Sequence, residues 1–156
     1  MLKKCTFIVL TLLIALGVLA QEKPTWRENI TMLVVPRDPL TVQIAQDTAL
    51  RYPVLLVCYQ QSKSSLLLHA WDGESWVGIS LEDYKNGTFF TKRPRRTILI
   101  EPENAPASGL LVPHGSWCKK GNRISSTQPR TVIHLLGRHF NFPYRYWMQF
   151  SKRYNY

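Results

Sequence analysis

Two continuous apolar runs, separated by one helical pattern, constrain the fold of this chain more than any other feature. Residues 30–35 read ITMLVV and residues 54–59 read VLLVCY. Runs of this length and content are typical of strands that are buried on both faces of a parallel sheet. Parallel neighbours need a crossover connection, which is usually a helix. The pattern therefore predicts a β-α-β unit with right-handed, parallel strands.

The segment between the two runs has the chemistry of a crossover helix. Asp38 precedes Pro39; its carboxylate can accept from the free amides of a first turn, where proline loses no intrahelical bond. The residues that recur on one side at helical spacing are Val42, Ala45, Ala49 and Tyr52. Asp47 falls on the other side and is predicted to face water. The loop PRDP lacks a glycine-rich phosphate-binding motif, so it does not predict a nucleotide site.

The stretch LLLHAWDGESWVGIS contains an Asp-Gly dipeptide between apolar runs, which predicts a tight β-hairpin. A two-residue loop pairs Trp71 with Glu74 and His69 with Trp76. The four side chains then share one face, opposite an apolar face. That face is a candidate for stacking a flat ligand, and His69 with Glu74 is a candidate acid/base pair. The alternative is a structural hairpin, because aromatic cross-strand pairs also stabilise strands.

The rest of the chain predicts further elements around the same sheet. Ser80 and Gly87 are predicted to begin and end a short helix, and residues 97–100 are predicted to form another core strand. Residues 131–140 read as a helix, and Pro143 can open a second one. In that second helix the aromatic residues share one side, and the charged residues share the other. We expect a C-terminal helical hairpin with a basic outer surface.

Positive charge is concentrated in the second half of the chain. Residues 21–91 carry six Lys and Arg against eight Asp and Glu, whereas residues 92–156 carry twelve against two. This asymmetry favours a polyanionic partner, such as a cell-wall polymer, an acidic lipid surface or a nucleic acid. The alternative is a solvated basic surface without a ligand. The candidate binding residues are Arg93, Arg95, Arg96, Arg145, Lys152 and Arg153, together with His69, Trp71 and Trp76 of the hairpin.

The first twenty residues have the pattern of an export signal. Two lysines precede an apolar run that is shorter than the roughly 20 residues needed to span a bilayer, and small Ala20 is followed by Gln21. We therefore expect a signal peptide over residues 1–20 and a secreted or periplasmic protein over residues 21–156. In such a compartment Cys58 and Cys118 can form a disulfide; the alternative is that Cys58 is a buried free thiol.

The length and composition of the chain indicate a single domain. A chain of 156 residues, 45% hydrophobic, closes one modest core. We expect a single small α/β domain, with a two-layer or three-layer arrangement built from the β-α-β unit, the hairpin and the helical hairpin. The expected function is non-catalytic binding or envelope association, with no cofactor, no metal site and no catalytic residue assigned. The alternatives are a secreted, nuclease-like hydrolase, for which His69, His134 and His139 are the candidate histidines, and a structural protein without a ligand.

Overall fold

The computed structural model describes residues 29–62, 65–104, 117–118 and 120–156. They form a six-stranded mixed sheet with the order β4-β3-β2-β1-β5-β6. The strands are β1 (Thr31–Pro36), β2 (Val54–Gln61), β3 (Leu66–Trp71), β4 (Trp76–Ile79), β5 (Arg96–Glu101) and β6 (Lys120–Ser125). The helices are α1 (Pro39–Ala49), α2 (Leu81–Asn86), α3 (Pro129–Phe140) and α4 (Tyr144–Tyr154). The predicted α/β class of a small single domain is confirmed.

The N-terminal β-α-β unit forms as predicted. β1 is parallel to both β2 and β5, and every residue of β1 is buried. Oδ2 of Asp38 accepts from the Thr41 amide at 2.9 Å and from the Thr41 hydroxyl at 2.7 Å, which caps α1. The apolar runs therefore specify the centre of the sheet, where both faces need apolar side chains.

Both faces of the sheet are packed. On one face, α1, α3 and α4 cover Leu33, Leu56 and Ile98. On the other face, Tyr84 of α2 and Trp117 pack against side chains such as Met32 and Leu99. The crossover from β1 to β2 and the crossover from β4 to β5 run in opposite directions along the sheet and use opposite faces, as crossovers of one hand require.

The buried side of α1 differs from the predicted stripe. Its buried residues are Thr41, Ile44, Ala45, Asp47 and Thr48. The prediction that Asp47 faces water is therefore wrong: its side chain is enclosed by α4, where Arg153 and Tyr154 bind both carboxylate oxygens. A charged residue can be buried when its partners satisfy it, and these partners come from a segment more than 100 residues away.

The hairpin forms, but its predicted register is wrong by two residues. Trp71 pairs with Trp76, and His69 pairs with Gly78. The loop is longer because the Asp72 side chain accepts from the amides of Glu74 and Ser75 at 2.8 and 2.7 Å, which stabilises a four-residue turn. Since side chains alternate with a period of two, a shift of two leaves His69, Trp71 and Trp76 on their predicted common face.

The C-terminal helical hairpin is also confirmed, and a glycine sets how closely its helices approach. Helices α3 and α4 meet where Trp147 lies over Gly137; a Cβ at position 137 would come within 2.1 Å of the Trp147 ring. Phe150 is buried and stacks on Phe142, with ring centroids 5.2 Å apart. The aromatic side of α4 therefore packs against the core on the α1 face of the sheet. The exposed cations of α4 face outward.

The predicted disulfide is not formed. Cys58 and Cys118 are both free and buried. Cys58 belongs to the core on the α1 face, and Cys118 to the core on the α2 face. Because the sheet separates the two thiols, they cannot come within the short Cβ separation that a disulfide requires. Within the described residues, the alternative of a buried free thiol at Cys58 is the correct one.

The predicted signal peptide, residues 1–20, lies outside the described residues. In the part of the chain that the structure describes, no helix has the length and apolar character needed to cross a membrane.

Candidate functional site

The amino-terminal ends of four strands lie along one edge of the sheet. Thr31 at the start of β1 is aligned with Val54 of β2 and with Arg96 of β5, and Arg96 is aligned with Lys120 of β6. The Arg95 amide donates to the carbonyl of Ile30. The basic segment that precedes β5 is thereby fixed beside the first residues of its neighbouring strands.

Two arginines at this edge bond to neutral groups. Nη1 of Arg95 donates to Oδ1 of Asn29 at 2.9 Å. Nη1 of Arg96 donates to Nε2 of His139, at the end of α3, over 3.0 Å. Burial lowers the pKa of His139, and the positive charge of Arg96 lowers it further. His139 therefore stays neutral at neutral pH and can accept from the guanidinium.

An aromatic cluster lies beside this edge, where α3 ends and α4 begins. The Tyr52 ring contacts the Phe140 ring, at a centroid distance of 4.9 Å, and the Tyr146 ring, at 6.1 Å. Arg51 and Arg145 both lie over the Tyr146 ring, 5.3 and 4.9 Å from its centroid. Guanidinium groups stack on rings in this distance range. The cluster thus holds two further cations close to the start of β2.

We call this set of cations the basic edge: Arg51, Arg95, Arg96, Lys120 and Arg145. Within the described ranges, no hydrogen bond or ion pair joins any of the five to a carboxylate. The two ion pairs of the described residues involve other arginines: Arg123 with Glu101, and Arg153 with Asp47. The positive charge of the basic edge is therefore not neutralised by described neighbours, which is the condition for attracting an external anion.

The structure brings together only some of the predicted basic residues. Arg95, Arg96 and Arg145 belong to the basic edge, and exposed Arg93 precedes Arg95 by two residues. Lys152 and Arg153 lie about 10 Å farther along α4 than Arg145, at a rise of about 1.5 Å per residue. Arg153 is also committed to the ion pair with buried Asp47.

The predicted aromatic face of the hairpin packs against the core on the α1 face of the sheet. Trp71 and Trp76 are 5.2 Å apart between ring centroids, at an angle of 58°, and both are partly buried against that core. His69 and Trp76 line a cavity of about 300 Å³ together with Cys58 and Arg37. Glu74 is exposed in the turn. The aromatic face of the hairpin therefore borders this small cavity, and Trp71 also lines a larger one of about 660 Å³.

The opposite edge of the sheet has a crevice where ligands of open α/β sheets usually bind. It has a volume of about 810 Å³ and is lined by residues that include Arg37, Asp38 and Tyr59. The Asp38 carboxylate already occupies the start of α1, and the Tyr59 hydroxyl donates to the carbonyl of Ile100. Burial raises the pKa of Tyr59 to about 12. These internal contacts make the crevice a weaker candidate for an anion than the basic edge.

A nuclease-like acid/base pair has no support in the described geometry. No described hydrogen bond joins His69, His134 or His139 to a carboxylate. His139 bonds to Arg96, and His134 is exposed beside Trp147 on α3. The described residues also contain no group of three or more His, Cys, Asp or Glu placed to hold a metal.

Sequence reasoning missed Arg51 and Lys120 as members of the basic edge. Arg51 carries one local signal, since it directly follows the predicted crossover helix, and crossover helices end at the edge where the next strand starts. Lys120 begins a polar strand that has no apolar pattern, and β6 was not predicted.

No protein-family model matches this chain, and comparisons with curated proteins and with solved structures find no significant match.

Proposed function

We propose that this chain is an exported, non-catalytic binding module that attaches to a phosphate-bearing anionic polymer through the basic edge. One observation carries the proposal: four separate segments bring cations to one edge of the sheet, where no described carboxylate binds them. The segments are the α1–β2 connection, the start of β5, the start of β6 and the start of α4.

The kinds of side chain favour phosphate over other anions. Four of the five cations are arginines, whose planar guanidinium matches two phosphate oxygens at once. Arg51 and Arg145 are held by stacking on Tyr146, so less side-chain freedom is lost when an anion binds. Pre-ordered donors of this kind increase affinity because fewer rotatable bonds must be fixed on association.

Rings at the edge add a second contribution. Tyr52 and Tyr146 are only partly buried, and Tyr144 at the start of α4 is 78% exposed. Exposed rings beside arginines can stack on bases of single-stranded nucleic acid. We therefore place nucleic acid first among the phosphate polymers and a phosphate-rich wall polymer second.

The test measures affinity for labelled oligo(dT) and for polyphosphate from about 50 to 200 mM salt, where polyanion binding weakens steeply. The substitutions are Arg95→Gln and Arg145→Gln, each of which removes one cation. Each is expected to weaken binding and to reduce the slope of log affinity against log salt by about 1. Oligo(dT) bound more tightly than polyphosphate at equal phosphate concentration indicates that rings contribute.

Lys85→Gln is the matched control. Lys85 is exposed on α2, which packs on the other face of the sheet, so its loss should leave the slope unchanged. The proposal fails if Lys85→Gln weakens binding as much as Arg145→Gln, because the charge then acts without a defined site. Absence of binding by the folded wild-type protein at low salt also contradicts it.

A further inference from the structure

The small cavity beside the hairpin contains two groups that the basic edge does not use. Cys58 on β2 is directly opposite His69 on β3 in an antiparallel pair. Side chains of directly opposed residues project from the same face, with Cβ atoms about 4.5–5.5 Å apart. The thiol and the imidazole therefore enter one cavity of about 300 Å³, together with Arg37, Val42 and Trp76.

The imidazole of His69 has a buried nitrogen, Nδ1, without a hydrogen-bond partner among the described residues. Buried polar atoms are nearly always paired, and an unpaired one needs an explanation, of which a bound ion is one. Cys58 is only 4% exposed, so its sulfur is likewise shielded from water. An imidazole nitrogen and a softer sulfur donor thus lie on the same face of the sheet, and both are shielded from water.

We propose that Cys58 and His69 form a two-ligand site for a soft monovalent metal ion of the Cu(I) or Ag(I) class. Thiolate and imidazole are ligands that such ions prefer. The site offers two donors, and the described residues place no third His, Cys, Asp or Glu beside them. Two-coordinate binding is common for these ions, whereas zinc sites in proteins require about four ligands.

The charge of the cavity also selects a monovalent ion. On binding, the Cys58 S–H bond breaks, the proton leaves to solvent, and the sulfur binds the ion as a thiolate. One positive charge replaces another, so the total charge of the cavity is unchanged. A divalent ion would add one positive charge close to Arg37, in a buried space where an uncompensated charge is strongly unfavourable.

The thiol of Cys58 is 4% exposed, whereas thiols that act as nucleophiles are partly exposed. Buried thiols of this kind are inert until a metal displaces the proton. Arg37 stabilises the thiolate once it forms, because opposite charges attract more strongly in a shielded site.

The test uses the full chain, reduced and kept without oxygen, titrated with Cu(I) in competition with a coloured Cu(I) chelator. We expect about one ion per chain, thiolate-to-copper absorption in the near ultraviolet, release of about one proton, and quenching of Trp76, which lines the cavity. Cys58→Ala should abolish binding. His69→Gln should weaken it by more than about tenfold, since even groups that only orient a metal ligand contribute about 10- to 100-fold.

Cys118→Ser is the matched control, because it removes a buried thiol on the other face of the sheet. This variant should bind one ion with unchanged affinity. A thermal melt of Cys58→Ala and His69→Gln confirms that each variant is folded before it is titrated. The proposal is overturned if folded Cys58→Ala binds Cu(I) as tightly as the wild type, if the folded, reduced wild type takes none from the chelator, or if Zn²⁺ displaces Cu(I) at equal concentration.

Discussion

The phenol of Tyr154 donates a 2.7 Å hydrogen bond to Oδ2 of Asp47, and this contact joins the last turn of α4 to the last turn of α1. Asp47 is 5% exposed. Its other oxygen accepts from Nη1 of Arg153 at 3.0 Å. Burial raises the pKa of Tyr154, and the hydrogen bond to Asp47 raises it further, so the donor keeps its proton at neutral pH.

The two partners of Asp47 are expected to contribute unequally to stability. Tyr154→Phe removes a hydrogen bond to a buried carboxylate, and we expect the free energy of unfolding to fall by about 1.5–3 kcal/mol. The Arg153 side chain is 51% exposed, so its ion pair is screened by water, and Arg153→Gln should change that free energy by less than about 1 kcal/mol. Urea denaturation measures both. Equal losses in the two variants would contradict this ranking.

The contact of Trp147 with Gly137 predicts a destabilising alanine. Alanine is a better helix former than glycine by about 1 kcal/mol, but a Cβ at position 137 would collide with the Trp147 ring. We expect Gly137→Ala to lower the free energy of unfolding by about 1–3 kcal/mol, as overpacked cores do. The near-ultraviolet circular dichroism of the tryptophans should change as well.

Gly78→Ala is the control for this substitution. Gly78 lies in β4, and a Cβ there would meet nothing within 4 Å. Replacing an unstrained strand glycine by alanine should stabilise the protein by up to about 1 kcal/mol. If Gly137→Ala is as well tolerated as Gly78→Ala, the packing of α4 on α3 is not as close as the structure shows.

The contact between Arg96 and His139 predicts loss of stability in acid. Burial, and then the charge of Arg96, lower the pKa of His139 below its ordinary value of 6.5. The unfolded chain therefore binds a proton more readily than the folded chain. This contribution is fully present above about pH 6.5 and is lost as the pH falls through the lowered pKa.

His139→Gln should flatten this acid dependence in urea denaturation measured between about pH 5 and 7.5, the range in which histidine titrates. His134→Gln is the matched control, since His134 is exposed on the same helix. A dependence that survives in His139→Gln but disappears in His134→Gln would show that the contact with Arg96 is not its source.

Local chemistry was sufficient to predict most elements. The runs that became β1 and β2 are apolar throughout because their strands are buried on both faces. Asp38 and Ser80 were predicted as caps, and both accept from an amide three residues later. Even with the wrong hairpin register, His69 and Trp71 lie on the predicted common face, since an error of two residues preserves the alternation of side chains.

The candidate site depended on contacts that no local pattern contains. The strand β6 has one buried residue, Ile124, and it is polar otherwise, because it lies at the border of the sheet and needs little apolar surface. Likewise, Asp47 looked like a solvent-facing helix residue until Arg153 and Tyr154 enclosed it. Whether a residue such as Asp47 is buried depends on partners more than 100 residues away in the sequence. No local sequence pattern identifies those partners.

Sequence patterns alone were enough to predict the α/β class, the β-α-β unit and both hairpins, and they show the excess of positive charge in the second half. These follow from periodicity, capping and turn chemistry, which act over a few residues. Three relationships are visible only in the folded chain: the sheet separates Cys58 from Cys118, Cys58 is paired with His69, and Arg51 lies at the same edge as Arg96 and Arg145. Strand order and helix docking are global properties of packing, because many distant side chains must fit together at once.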